Sequence, residues 1–563
     1  MRVAFQEKLP AMNKQSVWRM VTPYWVSEEK WLAVSLLLVI VGVNLGGVYF
    51  SVWMNQWSGR FYDALSMKDV AAFKHLFLIY FPMLAVQVFI ALGSSVVGDY
   101  LQFRWRSWLT RHLAHRWLSN SVFYKIERRR LIDNPDQRIS MDADQLARLS
   151  LTLFVGAISN ISSLVSFSVV LWTLSGAPMF SIAGVAVVVH GYMFWVAVLY
   201  ATLGTALVHW VGHRFASLTR QQQQVEANFR YRLLRVRENA AQIALYRGER
   251  RERDALYQSF DRIRDNWWAT LKITLRIDFV RLSYSSVSGV FGLLVTAPRY
   301  FSRAISLGDM NRLTDSLSMV QRSMAWFIES YSALMTWQAV AARLAELDAA
   351  IRVDDGGDLE VRLGSSKILT TTELALSLPN GVALTCVSPF TVMPGERWLL
   401  HGKSGGGKST LLRSLAGLWP HGRGTIEIPA DSRLMFLPQQ SYLPTGTLKA
   451  VLSYPSRDGS FSDQRCREVL DACRLEKYSG RLEEVQPWAH QLSPGEQQRF
   501  AFARALLQQP DYLFLDEATS ALDAATEEHV YAALLEFLPD CAVVSVAHRM
   551  GLAKFHHHQF EIG

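Results

Sequence analysis

The stretch that most constrains this chain is Gly402-Lys403-Ser404-Gly405-Gly406-Gly407-Lys408-Ser409. It fits G-x-x-x-x-G-K-[ST], the phosphate-binding P-loop, which needs a strand before it and a helix after it. Trp398-Leu399-Leu400 reads as a buried strand, and residues 410–415, starting at Thr410, read as the helix. The glycines let backbone N–H groups turn inward around the β- and γ-phosphates of ATP, and the helix N-terminus adds positive potential. Lys408 is placed to reach the β/γ oxygens, and the Ser409 hydroxyl to ligate Mg²⁺. The loop residues and Thr410 are the expected nucleotide cradle.

The rest of the chain is of another kind. Of 563 residues, 50% are hydrophobic and 19% charged. With a soluble ATP-binding end included in that average, the remainder must be very apolar. The net charge is +9. Its basic residues crowd between apolar segments, which reads as membrane topology and not as a nucleic-acid footprint. The four cysteines, Cys386, Cys466, Cys473 and Cys541, have no metal-ligand spacing and fit a reduced domain without disulfides. No cleavable signal peptide is visible, because the first apolar run is too long and too late.

Residues 31–53 carry no charge and have Trp at both ends. That length spans a bilayer, with the indoles as interface anchors. Further spans are expected at 75–97 (interrupted by Pro82), 151–174, 187–210, 282–297 and 313–335. Ahead of them, residues 1–25 read as either an interfacial helix or a loosely packed arm. Ser27 before Glu28 and Glu29 reads as an N-cap. Asn44 is an interhelical hydrogen-bonding candidate. In the last span Asp315, Arg322 and Glu329 fall at i, i+7 and i+14, on one helix face. Two readings stand: a cavity wall, or a span that starts later and leaves Asp315 and Arg322 in water. Glu329 is a candidate for a substrate or ion role, or is interfacial.

Arginines cluster after the second span (Arg104 to Arg130) and after the fourth (Arg214 to Arg251), whereas the turn after the third has none. The bias puts both termini and the ATP-binding end in the cytoplasm. The basic segments read as helices continuing beyond the bilayer. They close in turns at residues 133–138, where Asn134-Pro135 disfavours helix, and near 238–249. Such turns are expected to dock on the nucleotide domain. Charged, Gly-containing residues 352–364 mark the boundary, giving a membrane domain at 1–350 and a nucleotide domain at 351–563.

Within the second domain further motifs arrive in a fixed order. Phe436-Leu437-Pro438-Gln439 is a strand ending in Gln. Leu492-Ser493-Pro494-Gly495-Glu496-Gln497-Gln498-Arg499 opens a helix through Ala505. Tyr512-Leu513-Phe514-Leu515-Asp516-Glu517 is an apolar strand ending in two carboxylates. Ser520-Ala521-Leu522-Asp523 follows, and Val543-Val544-Ser545-Val546-Ala547-His548 is a last strand. Asp516 can hold Mg²⁺, and Glu517 can orient or deprotonate the attacking water. Ser493 is placed to cap its helix.

This ordered series resembles the ATP-binding-cassette (ABC) transporter family. The resemblance implies that Gln439 senses γ-phosphate and metal, and that His548 contacts the γ-phosphate. It also implies that Ser493, Gly495 and Glu496 face a nucleotide held by another subunit. One cassette per chain then implies a dimer with two composite ATP sites. Two departures stand out: Pro494 replaces a signature glycine, a substitution the first helical turn tolerates, and Pro379-Asn380-Gly381 supplies no adenine-stacking ring. In the membrane half, Phe61-Tyr62-Asp63-Ala64-Leu65, Asp133 to Ile139, Glu226-Ala227-Asn228-Phe229-Arg230 and Ile243 to Glu249 resemble the SbmA/BacA-related transporters, especially the YddA-type with a fused cassette. They resemble the subfamily D fatty-acyl transporters more distantly.

The resemblance implies an exporter-like polytopic α-helical domain of six transmembrane helices per subunit, fused to an α/β P-loop ATPase, in a homodimer in a bacterial inner membrane. It leaves the cargo open between a peptide, a corrinoid or similar hydrophilic compound, and an acyl-CoA or lipid. A non-transporting ATP-dependent regulator is the reading from another class. A soluble ABC protein is disfavoured by the uncharged run at 31–53.

Overall fold

The computed structural model describes residues 14–562 apart from 177–178, 183–184, 354–355, 404 and 548–549. The chain forms two compact units, Met1–Arg352 and Val353–Gly563.

The first unit is helical. Its principal helices are α1 (Lys14–Trp25), α2 (Lys30–Ser66), α3 (Val70–Leu118), α4 (Ala143–Ser175), α5 (Tyr192–Gly212), α6 (Phe215–Glu238), α7 (Glu249–Phe301) and α8 (Leu307–Arg352). Among the described residues, α2, α3, α4, α5 and α7 lie in helices long and apolar enough to cross a membrane. Helices satisfy their own backbone, as hydrocarbon demands. Large apolar side chains such as Leu38, Phe89 and Val96 are exposed, the surface that lipid covers. At 1.5 Å per residue, α3 and α7 run about 70 to 80 Å, more than twice a hydrocarbon core. The expected fourth span at 187–210 is shifted: Val185–Val188 is a strand paired with Met179–Ile182, and the helix begins at Tyr192.

The expected sixth span lies inside α8, which is helical throughout but less apolar. The reason is packing. Leu313, Leu317 and Val320, then Val340, Leu344 and Leu347, are buried at helical spacing, and α8 runs along α4 and α2. One side of α8 is taken up by these neighbours. Asp315, Arg322 and Glu329 lie on its exposed side.

Polar contacts fix both ends of the helical unit. Asp63 Oδ1 accepts from the Gly308 N–H at 2.8 Å, so the end of α2 caps the start of α8. Asn44 Nδ2 donates to Ser94 Oγ at 2.9 Å, linking α2 to α3. At the other end, Arg343 makes paired 2.7 Å bonds to Asp142, and Arg138 donates to Glu346 at 2.9 Å. The turn at 133–138 has Asn134 in the left-handed region with Pro135 at the first helical position. Arg138 is buried there. The described part of the N-terminal segment is packed: Tyr24 is buried and stacks on Trp105 at 5.6 Å and 8°. Ser27 is not a helix cap. Its hydroxyl accepts from the Glu29 N–H at 3.3 Å and donates back to the Tyr24 carbonyl at 2.6 Å, but the N-cap position of α2 is Glu29 and the helix starts only at Lys30. Glu29 pairs instead with Arg104 at 2.8 Å.

The second unit holds a parallel sheet of β1 (Arg397–His401), β2 (Leu434–Leu437), β3 (Tyr512–Asp516), β4 (Ala542–Val546) and β5 (His558–Glu561). Their spatial order is β2-β3-β4-β1-β5. Every residue of β4 is buried, as expected for a parallel strand covered on both faces. Phe436 of β2 stacks on Phe514 of β3 at 4.4 Å. A second, mostly antiparallel sheet is built around Gly422–Pro429. Two further helices matter here: α9 (Lys408–Leu415) follows β1, and α10 (Pro494–Gln508) precedes β3. The four cysteines are free, and only Cys386 is exposed.

Candidate active site

Parallel strands deliver their C-terminal ends to one edge of a sheet, where α/β proteins bind ligands. Asp516 of β3 is level with Val546 of β4, and Val546 with Leu400 of β1. The P-loop leaves β1 two residues after Leu400, Gln439 follows β2 closely, and Glu517 follows β3 directly. These motifs, scattered over more than a hundred residues, are thereby gathered at one edge. His548 and Ser404 lie outside the described residues.

The loop conformation follows from its glycines. Gly407 caps α9 with φ +91, and a Cβ there would sit 2.8 Å from Thr385 Cγ2. Only glycine takes that backbone without strain. Gly405 precedes it in the left-handed region (φ +81). The Gly406 N–H bonds the Lys403 carbonyl at 3.1 Å. Lys408 is buried, and its ammonium donates to the carbonyls of Gly402 (2.8 Å) and Lys403 (2.9 Å). It thus spans the mouth of its own loop. Thr410 lies one residue further into α9, and its carbonyl accepts from the Ser414 hydroxyl.

The Ser409 hydroxyl donates to Asp516 Oδ1 at 2.9 Å. Burial pushes the Asp516 carboxyl up from its ordinary value; the Ser409 hydrogen bond opposes this, and the Glu517 charge adds to it. A carboxylate so disfavoured, bonded to a hydroxyl beside a phosphate loop, suits a hard divalent cation with oxygen ligands. Ser409 and Asp516 fit Mg²⁺ on this ground. When bound with ATP, the ion neutralises phosphate charge. Glu517 has φ +49, an uncommon conformation for a side-chain-bearing residue. Its N–H bonds the Val546 carbonyl at 3.1 Å, which aims the side chain off the end of the sheet. Gln439 Nε2 reaches Glu517 Oε2 at 3.2 Å.

The signature helix starts as its chemistry dictates. Ser493 caps α10 in a reciprocal capping box with Glu496, and Pro494 occupies the first helical turn. The Ser493 hydroxyl and N–H both donate to Glu496 Oε2 at 2.8 Å. Tyr478 and Lys477 hold the other oxygen at 3.1 and 2.5 Å. Burial alone raises this carboxyl, but hydrogen bonds from Lys477, Ser493 and Tyr478 outweigh it and hold it at about 2. A Cβ on Gly495 would meet the Ala521 carbonyl at 3.1 Å, so glycine allows α10 to approach the turn after Glu517. The turn at 378–382 carries no aromatic ring.

One residue of this site was not legible as functional. Gln498 is buried on α10, with its amide bonded to the Gln439 carbonyl, the Ser520 hydroxyl and the Ala521 N–H. In sequence it is a glutamine in a polar helix start, and nothing but the fold indicates its partners.

Comparison with known proteins agrees with this arrangement. The ABC transporter transmembrane region 2 family matches residues 18–301, and the ABC transporter family matches residues 387–520. The chain is similar to the inner membrane ABC transporter ATP-binding protein YddA of Escherichia coli K12, at 31% identity over 95% of this chain and 94% of that one. It is also similar to the mouse lysosomal cobalamin transporter ABCD4, at 27% identity over 97% and 95% of the two chains. A bacterial Atm1-family ABC exporter with ATP bound shares the fold, with a TM-score of 0.73, 17% identity and 92% coverage of each chain. The chain belongs to the ABC transporter family, as an exporter-like membrane domain fused to an ATPase domain that couples ATP hydrolysis to transport across a membrane.

Proposed function

We propose that this chain is a half-transporter, two copies of which form the dimer that moves a hydrophilic solute, such as a peptide or corrinoid, across a bacterial inner membrane. The observation that carries the solute class is the stripe of Asp315, Arg322 and Glu329 on the exposed side of α8. Charged side chains at membrane depth are costly against lipid and suit a water-filled passage. That the relative ABCD4 is named a cobalamin transporter agrees with a cargo of this kind. The arginine-rich segments support cytoplasmic termini and a cytoplasmic ATPase domain.

In the ATPase domain, the P-loop from Gly402 to Ser409 and Thr410 would hold the nucleotide. Ser409, Asp516 and Gln439 would hold Mg²⁺, and Glu517 would position or deprotonate the attacking water, with His548 at the γ-phosphate. Ser493, Gly495 and Glu496 would face the nucleotide of the partner subunit. The Ser493 hydroxyl is engaged with Glu496 here and would turn outward on closure.

One observation favours a second reading, a phosphate-bearing cargo such as an acyl-CoA. A cavity of about 480 Å³ lies between α6 and α7, its lining including Arg232, Arg235 and Arg262 against the single carboxylate of Glu252, with Asn228 and Tyr231. Sealed proteoliposomes with outward ATPase domains decide between them. Labelled cobalamin, a proline-rich peptide and a long-chain acyl-CoA are offered with ATP, with Glu517→Gln as control. ATP-dependent accumulation of cobalamin or peptide supports the first reading. Accumulation of acyl-CoA alone supports the second. ATP hydrolysis with no movement of any of them, from vesicles of either orientation, counts against both.

A further inference from the structure

Gln498 has a position that its motif does not explain. It is 4% exposed. Its Nε2 donates to the Gln439 carbonyl at 3.3 Å and to Ser520 Oγ at 3.1 Å, while its Oε1 accepts from the Ala521 N–H at 2.9 Å. Both amide protons and the amide oxygen are therefore engaged. The orientation is determined by its partners, since exchanging O and N would set an NH₂ against the Ala521 N–H and an oxygen against the Gln439 carbonyl.

The partners are what matter. Gln439 bonds Glu517 through its own side chain at 3.2 Å. Ser520 closes the turn after Glu517, its N–H bonding the Glu517 carbonyl at 3.1 Å. Glu517 is thus held from both sides by segments that Gln498 holds. Gln498 also lies on the helix that starts at Ser493 and Gly495. A shift of that helix changes the spacing of all three bonds, and a buried amide left without partners is costly.

We infer that Gln498 is a positioning residue for ATP hydrolysis. It ties the signature helix to the two segments that orient the Glu517 carboxylate, so that movement of α10 is felt at the water-activating group. This rests on the reading of Glu517 as that group.

The test uses the full-length protein in nanodiscs with Gln498→Met, Gln498→Glu and Glu517→Gln. Methionine keeps the volume and removes every hydrogen bond. Glutamate keeps the acceptor for Ala521 and can accept from the Ser520 hydroxyl, but sets an oxygen against the Gln439 carbonyl. Both Gln498 variants are expected to lose at least tenfold in kcat, with KM for ATP and ATP affinity changed less than threefold. Glu517→Gln is expected to be nearly inactive. If Gln498→Met does not fold, Gln498→Glu decides by the same split. Wild-type kcat in a folded Gln498 variant overturns the inference, as does parallel loss of kcat and ATP binding, which marks general disruption. Normal turnover by Glu517→Gln would instead remove the reading on which the inference stands.

Discussion

Gln439 Nε2 donates a hydrogen bond to Glu517 Oε2 at 3.2 Å, joining the segment after β2 to the carboxylate that ends β3. The two strands are parallel neighbours, so groups 78 residues apart meet at one sheet edge. The bond holds the Glu517 carboxylate in one orientation, as the proposed water-activating role requires.

Replacing Glu517 by Gln keeps this geometry and removes the base. ATP hydrolysis should fall by about 10² to 10⁴-fold, while ATP binding is retained. Steady-state ATPase rates and equilibrium binding on the same preparation check this, and normal turnover would refute the assignment.

Lys408 acts on the loop as well as on phosphate. Its ammonium spans the carbonyls of Gly402 and Lys403, so Lys408→Ala removes both the charge and an internal strut. ATP affinity should weaken by about tenfold or more, about 1.4 kcal/mol, as expected for lost charge-assisted hydrogen bonds. Titration with a fluorescent ATP analogue measures it; an unchanged affinity would count against the P-loop reading.

Glu496 links acid stability to the signature helix. Its carboxyl is held at about 2, below its ordinary 4.5. A depressed carboxyl contributes stability that is present above 4.5 and is lost as pH falls toward about 2. Glu496→Gln keeps a capping-box acceptor but removes the charge that Lys477, Ser493 and Tyr478 bond, and should therefore lower the melting temperature at pH 7 by the equivalent of about 1 kcal/mol. It should also flatten the loss of stability between pH 4.5 and 2. Thermal unfolding across that range tests both, and a wild-type acid limb in the variant would contradict it.

The Asp142–Arg343 pair should respond asymmetrically. Asp142 is buried at 5% side-chain exposure, whereas Arg343 is 46% exposed. Arg343→Met strands a buried carboxylate and should cost about 3 kcal/mol. Asp142→Asn leaves an arginine that water can solvate and should cost about 1 kcal/mol. Melting temperatures in detergent rank the two, and equal losses would show that Asp142 is solvated after all.

The sequence alone determined those features that depend on residue type along a short stretch. The P-loop needs its glycines and its lysine within eight residues, so a strand at 398–400, the loop and a helix at 410–415 were legible, the helix in fact starting two residues earlier at Lys408. The apolar runs announced membrane helices because hydrocarbon leaves few alternatives for a backbone. The carboxylates Asp516 and Glu517 stood out at the end of an apolar strand. Tertiary structure decided whatever depends on partners distant in the chain. Ser27 looked like a cap, but the chain turns over residues 26–29 and the helix starts only at Lys30. Span six is less apolar because one side of α8 packs on α2 and α4 while the other carries Asp315, Arg322 and Glu329. Gln498 was invisible because a glutamine's role lies in what it bonds, and its partners belong to two other loops. Hydrogen bonds and burial are set by the packing of remote segments, whereas turn geometry and span length are set by the residues themselves.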